Sequence, residues 1–354
     1  MTRRTRYFLA ASSLVLAAIA CAGLIAYYGG IPGLSASRLG PAELEYVPQD
    51  AAFVAYANIQ DVMQSAVRQR LRERFPRSSE PGEFGRQTGI DLERDVDYVI
   101  AAAMGDDEAR EGGTLVVARG RFDTVRLEAL AREHGGRVEE YRGVRMVVGM
   151  RRPGRDRADD DRIEPPEGSS LGPQRDVHGH VHTGALAVLG PGLVAVGQAQ
   201  GIRQAIDAQQ SGRSVTANEE LMRILAEIEP GSSAWAVGRA ETLRSRQHMP
   251  DQVRRQLDAV RWFAASGRID GGISGTLRAE ARDAESAENL RDVVRGLFAL
   301  ARLQAGSKPE WQTILQSLQL GGAGTSVTVS FSLPPNVVDL LAPPVERKAA
   351  PDQQ

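Results

Sequence analysis

Two strictly alternating segments near the C-terminal end constrain the fold of this 354-residue chain more than any other feature. Ile273, Leu277, Ala279 and Ala281 alternate with Ser274, Thr276, Arg278, Glu280 and Arg282, and Val327, Val329, Phe331 and Leu333 alternate with Ser326, Thr328, Ser330 and Ser332. A period of two sends successive side chains to opposite faces of a strand, so each segment has one apolar and one polar face. Strands of a parallel sheet, covered on both sides, read instead as continuous apolar runs; alternation points to an antiparallel sheet with one wet side. That wet side is either plain solvated surface or the floor of a concave binding face between two lobes, lined by hydroxyls and small residues.

Upstream, Ala51 to Ala57 reads as a strand, Asn58 as an N-cap, and Ile59, Val62, Met63, Ala66, Val67, Arg70 and Leu71 recur at helical spacing. Strands follow over Tyr98 to Met104 and Thr114 to Arg119, then a helix capped by Asp123 and ended by Gly135-Gly136. Further strands read over Arg137 to Tyr141 and Val144 to Gly149. Strand, helix, strand, strand, helix, strand is the ferredoxin-like order. It recurs from Ser233, with a helix over Glu241 to Ala259, strands on both sides of Asp270-Gly271-Gly272, a long helix from Glu285 to Gln304 and a last strand over Ser326 to Leu333. Between the halves lie a hairpin about Gly190-Pro191-Gly192 and helices from Ile202 and Asn218. The expected fold is therefore α+β: an N-terminal transmembrane helix followed by two pseudo-repeated ferredoxin-like (βαββαβ) lobes with antiparallel sheets.

The transmembrane expectation rests on the start of the chain. Arg3, Arg4 and Arg6 precede an apolar run from Phe8 to Tyr28 that carries no charge, close to the ~20 residues a helix needs to span a bilayer. Positive charge on its N-terminal side predicts a cytoplasmic N-terminus and a C-terminal bulk in the periplasm or outside the cell, as for a single-pass protein of the bacterial inner membrane. The rival is a cleaved signal peptide, since Ala18-Ile19-Ala20 and Ala20-Cys21-Ala22 resemble cleavage sites, although a secretory apolar region is usually only ~7–15 residues long. A lipoprotein reading through Cys21 is weaker, because apolar sequence follows the cysteine. Domain bounds follow: 1–28 start and anchor, 29–48 a spacer rich in Gly, Pro, Ser and Ala, 49–228 the first lobe, 229–342 the second, and 343–354 a disordered tail. Residues 150–181, dense in charge and almost free of large apolar residues, read as a disordered insert.

Cys21 is the only cysteine, so the ectodomain forms no internal disulfide and its core must hold it. The net charge of −2 argues against nucleic acid as a partner. Lys308 and Lys348 are the only lysines, a bias that fits a GC-rich bacterial coding sequence rather than an arginine-dependent site.

The sharpest candidates for chemistry are His178, His180 and His182, which alternate in His-Gly-His-Val-His. In extended chain their imidazoles point one way, and three on one side suit zinc, copper or nickel. Asp159-Asp160-Asp161 lacks the spacing and central glycine of a calcium loop. His134 sits where a helix end welcomes a cation, and His248 at a helix break. Trp235, Trp262 and Trp311 read as core. There is no nucleophile elbow, phosphate-binding loop, zinc-protease helix or dinucleotide fingerprint, so no enzyme class and no cofactor is indicated.

The run Val47-Pro48-Gln49-Asp50-Ala51 into Phe53-Val54-Ala55-Tyr56-Ala57-Asn58, behind an anchor and spacer, resembles uncharacterised bacterial envelope proteins known only as domains of unknown function. Gln204-Ala205-Ile206-Asp207-Ala208 after the hairpin is similar to the same group. The resemblance implies an exported α+β domain and transfers no catalytic residue. The resulting expectation is a non-catalytic binding or scaffolding module of the envelope, with the bilayer and an envelope protein as partners. The alternatives are a metal-binding protein using the three histidines and an enzyme with an inter-lobe site.

Overall fold

The computed structural model describes residues 41–69, 90–105, 113–150, 184–241, 258–269, 271–305 and 309–334. Among the described residues no helix is long and apolar enough to cross a membrane. The apolar run from Phe8 to Tyr28 lies outside them, as do the charged insert beyond Met150, most of the helix expected over Glu241 to Ala259, and the tail.

The strands are β1 (Ala51–Asn58), β2 (Val96–Met104), β3 (Thr114–Gly120), β4 (Arg137–Tyr141), β5 (Val144–Met150), β6 (Gly184–Gly190), β7 (Leu193–Gln198), β8 (Ala234–Arg239), β9 (Val260–Arg268), β10 (Ile273–Ala281), β11 (Gln319–Gly321) and β12 (Ser326–Leu333). They form one twelve-stranded sheet in the order β11-β12-β10-β9-β8-β1-β2-β3-β7-β6-β5-β4. Every pairing is antiparallel. The mixed α/β class with a large antiparallel sheet agrees with the sequence.

The ferredoxin-like lobes do not. That topology sets the first and third strands side by side in parallel, whereas β1 here lies between β2 and β8. Direct pairing aligns Tyr56 with Ile100 and Ile100 with Val117, continuing apolar rows that a split arrangement would break. The sheet also runs without interruption through the expected lobe boundary, because Ala55 pairs with Ala236.

The helices are α1 (Ile59–Met63), α2 (Leu92–Asp95), α3 (Thr124–Glu133), α4 (Ala199–Ser211), α5 (Glu219–Ala226), α6 (Ala284–Ala305) and α7 (Pro309–Ser317). Asn58, Asp123 and Asn218 cap α1, α3 and α5, each side chain accepting a bond from an orphan backbone N–H. Gly212 ends α4 at φ 69°, a left-handed position that glycine adopts without a Cβ penalty.

On one face, here the front, α4 and α5 bury Ile202, Ile206, Leu221 and Ile224 against Ile100, Leu115, Val117 and Met146. Fully burying each such side chain contributes about 1.5–3 kcal/mol. The segment expected as the end of the spacer joins this core: Ala42–Tyr46 forms a 3-10 turn, with Leu44 and Val47 fully buried. On the back face, α3 packs Leu127 and Ala131 on Val147, Leu186 and Val194. At the other end of the sheet, α6 and α7 set Ala287 and Ile314 against Val327 and Leu333.

Asn218 has two tasks: its Oδ1 accepts from Leu221 N at 3.0 Å and its Nδ2 donates to Gln49 O at 3.0 Å. Asn218→Ala is expected to cost about 1–2 kcal/mol, read as a shift of the chemical-denaturation midpoint.

Candidate binding face

The sheet's front face changes character along its width. One row of directly opposed residues runs Gln319, Ser330, Thr276, Ser266, then Trp235 and Tyr56, then Ile100 and Val117. Hydroxyls give way to aromatics and these to aliphatics, so the polar side of β10 and β12 is the direct continuation of the core face. The border is sharp because α5 ends there. Its Leu221, Ile224 and Leu225 enter the core, while its charged side lies over β9 and β10. Arg223 Nη2 donates to both Glu280 oxygens at 3.0 Å, Arg261 pairs with Glu220 at 2.8 Å, and Glu227 pairs with Arg278. Exposed pairs of this kind are each worth about 0–1 kcal/mol, so their effect is to fix where the helix lies more than to hold it down.

Beyond that ladder the floor opens into a depression of about 220 Å³ lined by Ser266, Ser274, Thr276, Ser330 and Ser332, with Arg268 at its rim. The five hydroxyl residues are half-buried apart from exposed Ser332. None of the five hydroxyls has a hydrogen-bond partner among the described residues. Several hydroxyls elsewhere are engaged: Ser65 donates to Val62 O at 2.6 Å, Ser232 to Glu229 O at 2.7 Å and Ser317 to Ile314 O at 2.8 Å. Strand spacing sets neighbouring hydroxyls of a row ~4.8 Å apart, an array of paired donors and acceptors facing outward.

The charges at the rim satisfy one another. Arg268 donates to the carbonyls of Pro230 and Gly231 and pairs with Glu229 at 3.3 Å. The floor is therefore polar without net charge. It offers hydrogen bonds to and from neutral hydroxyls.

No family model and no curated protein matches the chain. Solved structures of TP0453 are similar to it. Crystal form I aligns with a TM-score of 0.43 at 9% identity, covering 86% of this chain and 98% of that one. Crystal form IV aligns with a TM-score of 0.42 at 9% identity, covering 85% and 96%. Likeness at that level assigns neither a family nor an activity.

The residues singled out in the sequence fall elsewhere. His178, His180, His182 and His248 lie outside the described residues, as does Asp159 to Asp161. Among the described residues no group of three or more His, Cys, Asp or Glu side chains converges on a metal position. His134 is the C-cap of α3, its Nδ1 2.8 Å from Leu130 O, a structural contact. Trp235 and Trp262 are core residues, 8% and 3% exposed. Trp235 stacks on Tyr56 at 5.7 Å, and Arg239 lies over the Trp262 ring at 5.4 Å.

One buried polar site has no counterpart in the sequence reading. Glu43, 4% exposed, sits in the 3-10 turn. Its carboxylate accepts from the Tyr98 hydroxyl and from both Nε and Nη2 of Arg119, the Nε contact at 2.9 Å. Arg119 Nη1 also donates to Pro191 O at 3.0 Å. Burial works to raise the Glu43 pKa, but the bonds from Tyr98 and Arg119 outweigh it and hold the carboxyl below its ordinary range. Burial and the adjoining Glu43 push the Tyr98 hydroxyl well up. Burial, with Asp61 and Glu43 adding to it, raises Tyr56 to about 12. The available signal was the apolar pair Leu44 and Val47, one turn apart beside an acid.

A second polar group ties α1 to β8. Asp61, its pKa raised by burial against a hydrogen bond from Ser233, shares that serine with Ile269 N, which donates to Ser233 Oγ at 3.2 Å. The proton and one lone pair of the serine thus serve the join between α1, β8 and the end of β9.

Proposed function

We propose that the chain is a single-pass inner-membrane protein whose ectodomain is a non-catalytic binding module of the bacterial envelope. The apolar run from Phe8 to Tyr28, behind three arginines, supports the anchor and the outward orientation. The observation that carries the binding role is the open hydroxyl floor on β9, β10 and β12, an uncharged hydrogen-bonding surface abutting the aromatic border of the core. A floor of this chemistry suits a neutral polar partner surface held by many modest hydrogen bonds, each worth about 0.5–1.5 kcal/mol.

Proximity labelling in a native bacterium tests this, with the labelling enzyme fused after Gln354. The full chain is expected to enrich one defined envelope assembly over an anchor-only control. The triple change Ser266→Ala, Thr276→Val and Ser330→Ala is expected to lose most of that enrichment while leaving the thermal midpoint within a few degrees. Equal enrichment by the triple variant would remove the floor from the proposal. Substrate turnover by the purified protein would overturn the non-catalytic reading.

A further inference from the structure

A second concavity lies at the far edge of the back face, and its chemistry is opposite to that of the hydroxyl floor. α6 leans over β11 and leaves a groove of about 360 Å³, lined by Arg291, Arg295, Phe298 and Arg302 on the helix side and by Leu318 and Leu320 on the other. Positions 291, 295, 298 and 302 fall within about 60° of one another around a helix of 3.6 residues per turn. The helix thus presents three guanidinium groups and one aromatic ring to the groove, and among the described residues no carboxylate lines it.

The acids that serve those arginines are on the helix flank. Glu288 accepts from Arg291 Nη1 at 2.7 Å and Arg295 Nη1 at 3.1 Å, and Asp292 accepts from Arg295 at 2.6 Å. Arg291 Nη2 is engaged by the carbonyls of Gly324 and Ser326 at 2.8 and 3.0 Å. Arg302 has no hydrogen bond or ion pair among the described residues. The groove consequently has a graded interior: Arg291 is fixed as wall, Arg295 is half-compensated, and Arg302 is an uncommitted fork donor at the mouth. Phe298, Leu318 and Leu320, all half-buried, supply an apolar lining between them.

Cationic forks above an apolar trough fit one class of ligand. A free small anion would leave the trough wet, and a neutral lipid would leave the Arg302 fork unmatched. We propose that this groove binds an anionic amphiphile, a single acyl chain laid along Phe298, Leu318 and Leu320 with its carboxylate or phosphate head against Arg302 and Arg295. Arginine matches both heads because its planar fork donates two parallel hydrogen bonds to a pair of oxygens. The volume falls within the range of small-molecule sites and suits one medium-length chain rather than a whole bilayer lipid.

The experiment uses the full chain in phosphatidylcholine nanodiscs, with a diazirine-bearing dodecanoic acid as the probe and mass spectrometry to map the label. Crosslinks are expected to concentrate on peptides spanning 291–302 and 318–322, and to fall at least tenfold in Arg295→Gln/Arg302→Gln. Phe298→Gln provides an independent variant, because it removes the aromatic wall of the trough from a half-buried position on α6. It too is expected to abolish local labelling, with the denaturation midpoint of each variant unchanged. Dodecyl phosphate competing as well as dodecanoate identifies the shared headgroup chemistry, whereas competition by inorganic phosphate or acetate alone would overturn the amphiphile. Labelling by the matching diazirine alcohol at the same level, or labelling indifferent to both variants, would overturn the site.

Discussion

Arg119→Ala is expected to destabilise the protein by about 3 kcal/mol, the low end of the cost of removing one partner from a buried ion pair. The low end applies because the Arg119 side chain is 34% exposed, whereas that of Glu43 is 5% exposed. Loss of the guanidinium leaves a buried carboxylate with the Tyr98 hydroxyl alone, and frees the 3-10 turn whose Leu44 and Val47 fill the core beneath α4. The pH dependence gives the pair a signature that plain loss of packing lacks. Glu43 has a folded pKa below its unfolded one, so its stabilisation is complete above the unfolded value of about 4.3 and fades as pH falls through the lower folded value. Urea midpoints between pH 7 and pH 3 should therefore fall more steeply in the parent than in Glu43→Gln. A parallel fall in the two proteins would show that the pair contributes nothing to acid sensitivity.

Trp235→Ala is the second large effect, expected at about 3–5 kcal/mol, as for buried Trp or Phe truncated to Ala. The indole is 8% exposed and stacks on Tyr56, which in turn meets the Tyr98 ring at 5.7 Å. Its removal hollows the border between the hydroxyl floor and the aliphatic core, next to Ser266. Trp235→Phe should cost much less, because a ring remains against Tyr56. Thermal and urea unfolding of both variants checks this, and equal losses would mean that the indole edge, not ring packing, is what the site needs.

The sequence announced individual elements far better than their neighbours. β4, β10 and β12 lie within a residue of their expected bounds, and Asn58, Asp123 and Asn218 cap helices as local chemistry requires. These are short-range matters, decided by periodicity and by who can reach an orphan N–H. Strand order is different in kind. Alternation tells which side chains share a face, and it is indifferent to whether β1 adjoins β8 or β3, so the ferredoxin-like order could be read and still be the wrong arrangement. The polar face of β10 and β12 was legible as a floor of hydroxyls. Its position, as the extension of the core face past α5, was not, since it depends on β8 and β9 joining β1. Glu43 escaped notice because an acid in a stretch rich in Gly, Pro and Ala reads as solvated chain. The arginine face of α6 escaped for a similar reason: arginine is abundant throughout this chain, and only the groove opposite singles out positions 291, 295 and 302.

The central place of β1 has a consequence for biogenesis. Nearly all pairings in the sheet join strands close along the chain, but β1 waits for β8, with Ala55 opposite Ala236. During synthesis one whole edge of β1 stays open until well over half of the polypeptide has emerged, leaving unpaired the backbone groups that later bond to β8, among them Asn58 N, which donates to Ser233 O in the folded sheet. Late closure of so distant a contact slows folding and lengthens the interval in which that edge can recruit another nascent copy. A chaperone that met the nascent chain would then act on this protein through its first strand, well before the far end of the sheet exists.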